Sequence, residues 1–589
     1  MRRTAASLLL IAGMVPVDIA ASALAQEPSD VSADNGSSLI DQNTLPNAID
    51  LKGSRPQADP SLLPPAATTL PETLDGLQAP PSLALPNQPD QVRIRELRPL
   101  TLAEVERLAE VNNPNLKAVA LEVQQAKSSL RAAISSWYPN LNLSANGLPQ
   151  YLAGESQRFN SSRSDSQRSD SNQSGFNQSD SNQSDFVNPF TDLEVEDGRL
   201  TRTEITSANF SAQLNWKLID PGRVPEIAAA RDLFERARDS YLISLRDLRL
   251  QTAEAYIRLQ ERDETVNVGK QSVAASLVSL RDARARFQAG VATKLEVLEA
   301  ETQLARDRDL LTRELNFQSR ARRELAKIID LPQDVTPTAA TPARVLGVWE
   351  PSLQESIIAA YAFREELDQL ILDISINNSN ANRALAAVQP VLSIYNNFQT
   401  RRFKGGTSEP PVNTDAYGWS FDNAVGLSAR WNVFDGGRAR AEYRRNKQKA
   451  EASTYDFATR RGEIRFEVEQ SFFNLRDRQA SIRTTAREVL SSQEALRLAR
   501  LRFQAGVTTQ REVVETQRDV TNAQVRYVSA IADYNVSVAK LRRFTGLDQV
   551  ASCPPLNLPG DKPQPSASEV VPIVPEPNFP ACEASLLGS

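Results

Sequence analysis

Two pairs of carboxylates share a position in closely similar segments: Glu296 with Glu299, and Glu512 with Glu515, each at i and i+3. On a helix that spacing puts both acids of a pair on one face. Such a pair can attract cations, or its first member can simply cap the helix. The rest of the chain limits the chemistry. Its 589 residues include no histidine, which removes the commonest general base and the commonest metal ligand. The two cysteines, Cys553 and Cys582, flank a proline-rich stretch and make neither a CxxC pair nor a zinc cluster. A disulfide closing a C-terminal loop and two free thiols both remain open for them. No nucleotide-binding loop or nucleophile–base pairing accompanies the acids, so neither an enzyme, a cofactor nor a bound metal is expected. A formal charge of −6 without any basic run speaks against nucleic acid.

The elements that carry the acids are written twice. RFQAGVATKLEVLEA, starting at Arg286, and RFQAGVTTQREVVET, starting at Arg502, agree at ten of fifteen positions. Upstream, LNWKLIDPGR matches ARWNVFDGGR, aligning Trp216 with Trp431, Asp220 with Asp435 and Gly222 with Gly437. Further back, the segment around Pro139 matches that around Pro390. Each half therefore reads as helix, proline, alternating segment, gap, alternating segment, Asp-x-Gly, very long helix, RFQAGV and return helix.

The long helices are expected from Gly222 to Phe287 and from Gly437 to Phe503, rods of about 100 Å at ~1.5 Å per residue. Apolar residues recur every seventh position: Leu259, Val266, Val273, Leu280 and Phe287, then Val468, Leu475, Ile482, Val489, Leu496 and Phe503. That spacing predicts a coiled-coil seam. Gly290 and Gly506 end the rods. Thr293 with Glu296, and Thr509 with Glu512, fit capping boxes for return helices over 293–330 and 509–545.

Between proline and glycine the period changes to two. Leu141 and Leu143 alternate with Asn, and Phe210, Ala212, Leu214 and Trp216 share a face. The second half offers Val391, Ser393 and Tyr395, then Val425, Leu427, Ala429, Trp431 and Val433. Such alternation fits transmembrane β-strands, although a soluble sandwich strand would look the same over one segment. Four strands cannot close a barrel, since small barrels need about eight, so the chain must oligomerise or build something smaller.

The ends are of other character. Residues 1–25, with Arg2 and Arg3, a short apolar core and Ala23-Leu24-Ala25, have the order of a secretory signal peptide. Residues 26–95 read as a Pro/Ser-rich flexible linker and 553–589 as a Pro-rich tail. The first repeat is expected over 96–331, with strand pair 139–219, a Ser/Asn/Asp-rich loop at 155–186, hairpin 222–330 and tip 286–292. The second is expected over 350–548, with strand pair 390–434, hairpin 437–545 and tip 502–508.

From Leu100 to Leu547 these features, in this order, resemble the TolC-type outer-membrane efflux proteins. The resemblance implies a mainly α fold with a transmembrane β part. Three chains would each give four strands to a 12-stranded outer-membrane barrel, which continues into a long-helix periplasmic α-barrel. It implies a passive exit duct for tripartite efflux or type I secretion. The duct would work as a homotrimer in outer-membrane lipid, with a periplasmic adaptor and an inner-membrane transporter. The family's adaptor-docking positions map onto Gly290, Val291, Gly506 and Val507; the alternative for these is a plain helix-ending turn. Its axial carboxylates map onto Glu512 and Glu515, where stacked rings would form a cation-preferring pore constriction. Glu296 and Glu299 are implied in tip closure. The family's latch uses an aromatic hydroxyl and an arginine, and those positions hold Phe503 and Thr508 here, leaving Arg502 and Arg511 as the residues to replace them. The competing reading is a secreted or periplasmic trimeric coiled-coil scaffold or adhesin, which needs the heptads but not lipid-facing strands.

Overall fold

The computed structural model describes residues 64–158, 199–409 and 412–551. The expected signal peptide, the expected linker before residue 64, residues 159–198 and both cysteines lie outside the described residues.

Strand β1 (Glu96–Leu100) leads into helices α1 (Leu102–Asn112) and α2 (Pro114–Ile134). Asn113 separates the two helices. Its Oδ1 accepts from the Asn115 and Leu116 amides, and its Nδ2 donates to the Ile328 carbonyl at 2.9 Å. Two long strands follow, β2 (Asn140–Arg158) and β3 (Arg199–Ile219). Glu155 to Arg158, expected in the polar loop, are the last rung of β2 and pair with Arg202 to Arg199. Then come α3 (Arg223–Gln288, 66 residues) and α4 (Lys294–Ile328), strands β4 (Val335–Ala339) and β5 (Val348–Trp349), and helices α5 (Leu353–Phe363) and α6 (Glu365–Ala386). The second long pair is β6 (Val391–Glu409) and β7 (Val412–Arg430). The chain continues through α7 (Arg438–Gln504, 67 residues), α8 (Gln510–Thr545) and β8 (Val550–Ala551).

The rods bury most of the residues that the seven-residue spacing singles out, while Val273 and Phe503 are half-buried and Phe287 is exposed. Leu259, Val266 and Leu280 of α3 are buried, as are Val468, Leu475, Ile482, Val489 and Leu496 of α7. Polar pairs interrupt the seam between α3 and α4. Buried Asp307 accepts from Ser276 and from Gln303 (3.0 Å), and Glu314 accepts from Thr265 at 2.9 Å. Polar contacts of this kind fix register at some cost in stability.

Part of the expected linker is packed, although residues 81–95 are exposed. Leu74 and Leu77, in a short 3-10 turn, are buried against Leu100, Leu108, Leu245 and Leu325. The two small parallel and antiparallel pairs, β1 with β4 and β5 with β8, tie the start and end of each half together. Each pair is anchored by a buried tyrosine: Tyr256 donates its hydroxyl to the Leu100 carbonyl (2.9 Å) and Tyr534 to that of Gly347 (3.0 Å). Burial pushes the Tyr534 phenol up to about 12. Where α8 ends, Arg364 is almost fully buried. It pairs with Glu366 (2.8 Å) and Glu467, while Arg543 pairs with Glu366 (2.9 Å) and Asp247 (2.5 Å).

The four long strands form one antiparallel sheet in the order β2-β3-β6-β7. Directly opposed residues in such a sheet share a face. One face carries Leu141, Leu143, Leu214, Phe210, Ile394, Phe398, Leu427, Val425 and Phe421. The other carries Asn142, Gln213, Asn397, Ser144, Ser211 and Gln399. The Trp419 and Phe421 rings stack on the apolar face, centroids 5.9 Å apart.

The register corrects one expectation. Ile394 faces Leu427 on the apolar side, so Val391, Ser393 and Tyr395 belong to the polar side. There Tyr395 lies over Gly426, where an added Cβ would come within 2.7 Å of its hydroxyl, and Phe403 similarly covers Gly418. Trp431 and Val433 follow the end of β7 rather than belonging to it. Trp431 Nε1 donates to the Val388 carbonyl at 3.0 Å, as Trp216 Nε1 donates to that of Trp137 at 2.9 Å. The aligned aspartates turn the chain into the rods: Asp220 accepts from the Gly222 amide, and Asp435 from those of Gly437 and Ala439.

Candidate channel gate and docking surface at the hairpin tips

Each hairpin turns through RFQAGV with the same backbone bonds. The Gly290 amide donates to the Phe287 carbonyl (3.0 Å) and Val291 to Arg286 (3.0 Å); Gly506 donates to Phe503 (3.1 Å) and Val507 to Arg502 (2.9 Å). This double bond across a left-handed glycine is the Schellman stop. Gly290 and Gly506 have φ of 75° and 74°, which explains the glycine in both copies. The stop leaves Val291 and Val507 at 67% and 69% exposure.

The return helices start differently. Thr293 and Glu296 form the expected reciprocal capping box. At Thr509 no side-chain cap forms. Glu512 is drawn instead to the Arg502 guanidinium (2.8 Å) and the Thr508 hydroxyl. The physical reason is charge: a guanidinium outcompetes a backbone amide for the carboxylate. Glu515, one turn on, is exposed, and its charge is felt by Arg511.

Several ties join the hairpins near their tips. Arg511 reaches Glu299 through Nε (3.1 Å) and Nη2 (2.8 Å). Buried Gln510 donates to Ser279 Oγ at 2.5 Å. Arg286 lies over the Phe503 ring, 4.2 Å from its centroid. Of the expected closure residues, Arg511 and Glu299 thus meet across the hairpins, Arg502 and Glu512 meet within the second, and Glu296 serves its own helix end. Between the hairpins lies a cavity of about 730 Å³ lined partly by Val278, Arg286, Phe503, Gln510 and Val513. Sequence reasoning missed Arg286, Gln510 and Thr508. The repeated Arg-Phe dipeptide was the available signal for the first; nothing marked Gln510 before its helix neighbours were known.

The model of the outer membrane efflux protein family matches residues 106–330 and 359–547. The chain belongs to that family. No curated protein sequence matches it significantly. Among solved structures, the outer-membrane channel OprN is 17% identical, with 82% of this chain and all of that one covered and a TM-score of 0.56. VceC of Vibrio cholerae is 14% identical, covering 76% and 96% of the two chains at 0.54. The open state of the Neisseria gonorrhoeae MtrE channel is 14% identical, covering 84% and 96% at 0.54. At such identities these structures show a common fold. Membership makes this outer membrane efflux protein a channel component and not an enzyme. It places the protein in the outer membrane with its helical part in the periplasm. Among the described residues no helix is long and apolar enough to cross a membrane.

Proposed function

We propose that three copies of this chain form a passive exit duct for tripartite efflux or type I secretion. Each copy gives β2, β3, β6 and β7 to a twelve-stranded barrel, and its rods to a periplasmic α-barrel. Residues 1–25 act as the export signal, and the halves 96–331 and 350–548 as two copies of one building block. The observation that carries this reading is the sheet. One of its faces is the more apolar, although Asn396 and Asn423 lie on it, and its outer strands β2 and β7 each pair on one side only among the described residues. In lipid an open edge is untenable, because unpaired backbone groups cost several kcal/mol each. Closure onto further copies removes both edges. A scaffold or adhesin has no use for an apolar face of this breadth.

In this reading the duct narrows at the tips. Glu512 and Glu515 line the constriction, with Glu515 supplying the less compensated charge because Arg502 braces Glu512. Glu296, Glu299, Arg502 and Arg511 hold the tips closed. Gly290, Val291, Gly506 and Val507 receive a periplasmic adaptor that links the duct to an inner-membrane transporter. The protein in a planar lipid bilayer tests this. A purified trimer giving cation-preferring conductance steps is expected; absence of any conductance from protein recovered outside the outer-membrane fraction would sink the reading. Glu512→Gln with Glu515→Gln should weaken the cation preference, and an unchanged preference would refute the constriction assignment.

A further inference from the structure

The repeated hexapeptide equips both tips with the same Arg-Phe pair, yet one chain uses only half of the possible contacts. Arg286 of the first tip covers Phe503 of the second, and both are partly buried. The complementary residues, Arg502 and Phe287, are both exposed, Phe287 at 47%. The backbone at the two tips is the same, so the difference does not lie in local conformation. A contact running from first hairpin to second is head-to-tail. In a closed ring such a contact recurs from the second hairpin to the first hairpin of the next copy.

We propose that Arg502 lays its guanidinium over the ring of Phe287 of the partner subunit, so that the closed tips are held by alternating intrachain and interchain Arg-aromatic contacts. The inference rests on the ring reading above. A guanidinium offers its face to a ring while its edge N–H groups keep a carboxylate. Arg502 therefore need not release Glu512, and the Thr508 hydroxyl holds that acid in place in any case. Lysine has no such face, which makes the choice of arginine at both tips meaningful.

The test uses full-length protein carrying Cys553→Ser and Cys582→Ser. Phe287→Cys with Arg502→Cys, treated with a short bis-maleimide, should give covalent dimers and trimers on a denaturing gel. Arg286→Cys with Phe503→Cys should give cross-linked monomer. If the first pair yields monomer only, while native mass measurement still finds a trimer, the contact is refuted and the ring stands. If the parent protein forms no trimer, the ring reading fails, and this inference with it. Conductance gives a second readout without cysteines. Each exposed contact biases an equilibrium by about two- to fivefold, and one is lost per subunit, so Phe287→Leu should raise resting open probability roughly tenfold or more. Arg502→Lys should do likewise while retaining its charge beside Glu512. Unchanged open probability in both would overturn the proposal.

Discussion

Glu366 is the residue on which most buried charge converges, with Arg364 and Arg543 both against it. Burial alone would raise its pKa, but the hydrogen bond from Arg364 and the charges of Arg543 and Arg364 outweigh burial. They hold the carboxyl well below the usual range. A depressed carboxylate stabilises the fold fully above its unfolded value of 4.5 and loses that contribution as the pH falls below it. Thermal melts of the detergent-solubilised protein should therefore drop between neutrality and about pH 3, and Glu366→Gln should flatten that dependence. The same substitution leaves two buried guanidiniums short of a counter-charge, so it should cost about 3–5 kcal/mol at neutral pH. At the tips the expectation is opposite. Val507→Asp sits at an exposed position and should leave the melting temperature unchanged, yet lower export in cells if the valine meets an adaptor. Gly506→Ala meets no atom within 4 Å, so its cost, about 1 kcal/mol, comes from the left-handed backbone alone.

Elements were legible in proportion to how local their signal is. The rods announce themselves through a seven-residue spacing that persists over many turns, and Gly290 and Gly506 mark their ends. Ile482→Ala, at a fully buried seam position, should cost about 2–5 kcal/mol in equilibrium unfolding. The small pairs β1–β4 and β5–β8 carry no such signal, because each strand is short and its partner lies far along the chain. Leu74 and Leu77 hid within proline-rich surroundings whose composition argues for disorder. The β6 face was ambiguous for another reason. Val391 and Tyr395 alternate as well as Leu392 and Ile394 do, and only pairing with β7 decides which set lies on the more apolar face. Tyr395 faces the other way to cover Gly426. Gly426→Ala should consequently weaken barrel assembly, seen as a lower dissociation temperature of the oligomer on semi-denaturing gels, and Tyr395→Ala in the same chain should relieve the clash. At the candidate gate, the acids could be located from the repeat and Arg502 and Arg511 were named from the resemblance, but not which arginine meets which acid. Arg502 and Glu512 are ten positions apart, across a turn whose shape decides whether they meet.

At the scale of the molecule, the two halves differ at few places that matter for shape. The descending rods contain 66 and 67 residues and the return helices 35 and 36. Because α3 and α7 leave the same sheet, near-equal lengths bring both turns to one level. Removing one heptad from α7 and one from α8 would lift the second tip by about 10 Å. It would also separate Gln510 from Ser279 and Phe503 from Arg286. Such a deletion should leave the oligomer assembled and the channel unable to close. Deleting the corresponding heptads from α3 and α4 as well should restore closure in a shorter duct. The near-equality of the rods thus behaves as a matched gauge. A lineage fitting this protein to a deeper or shallower periplasm can change its reach only in whole heptads, and only by editing all four limbs in concert.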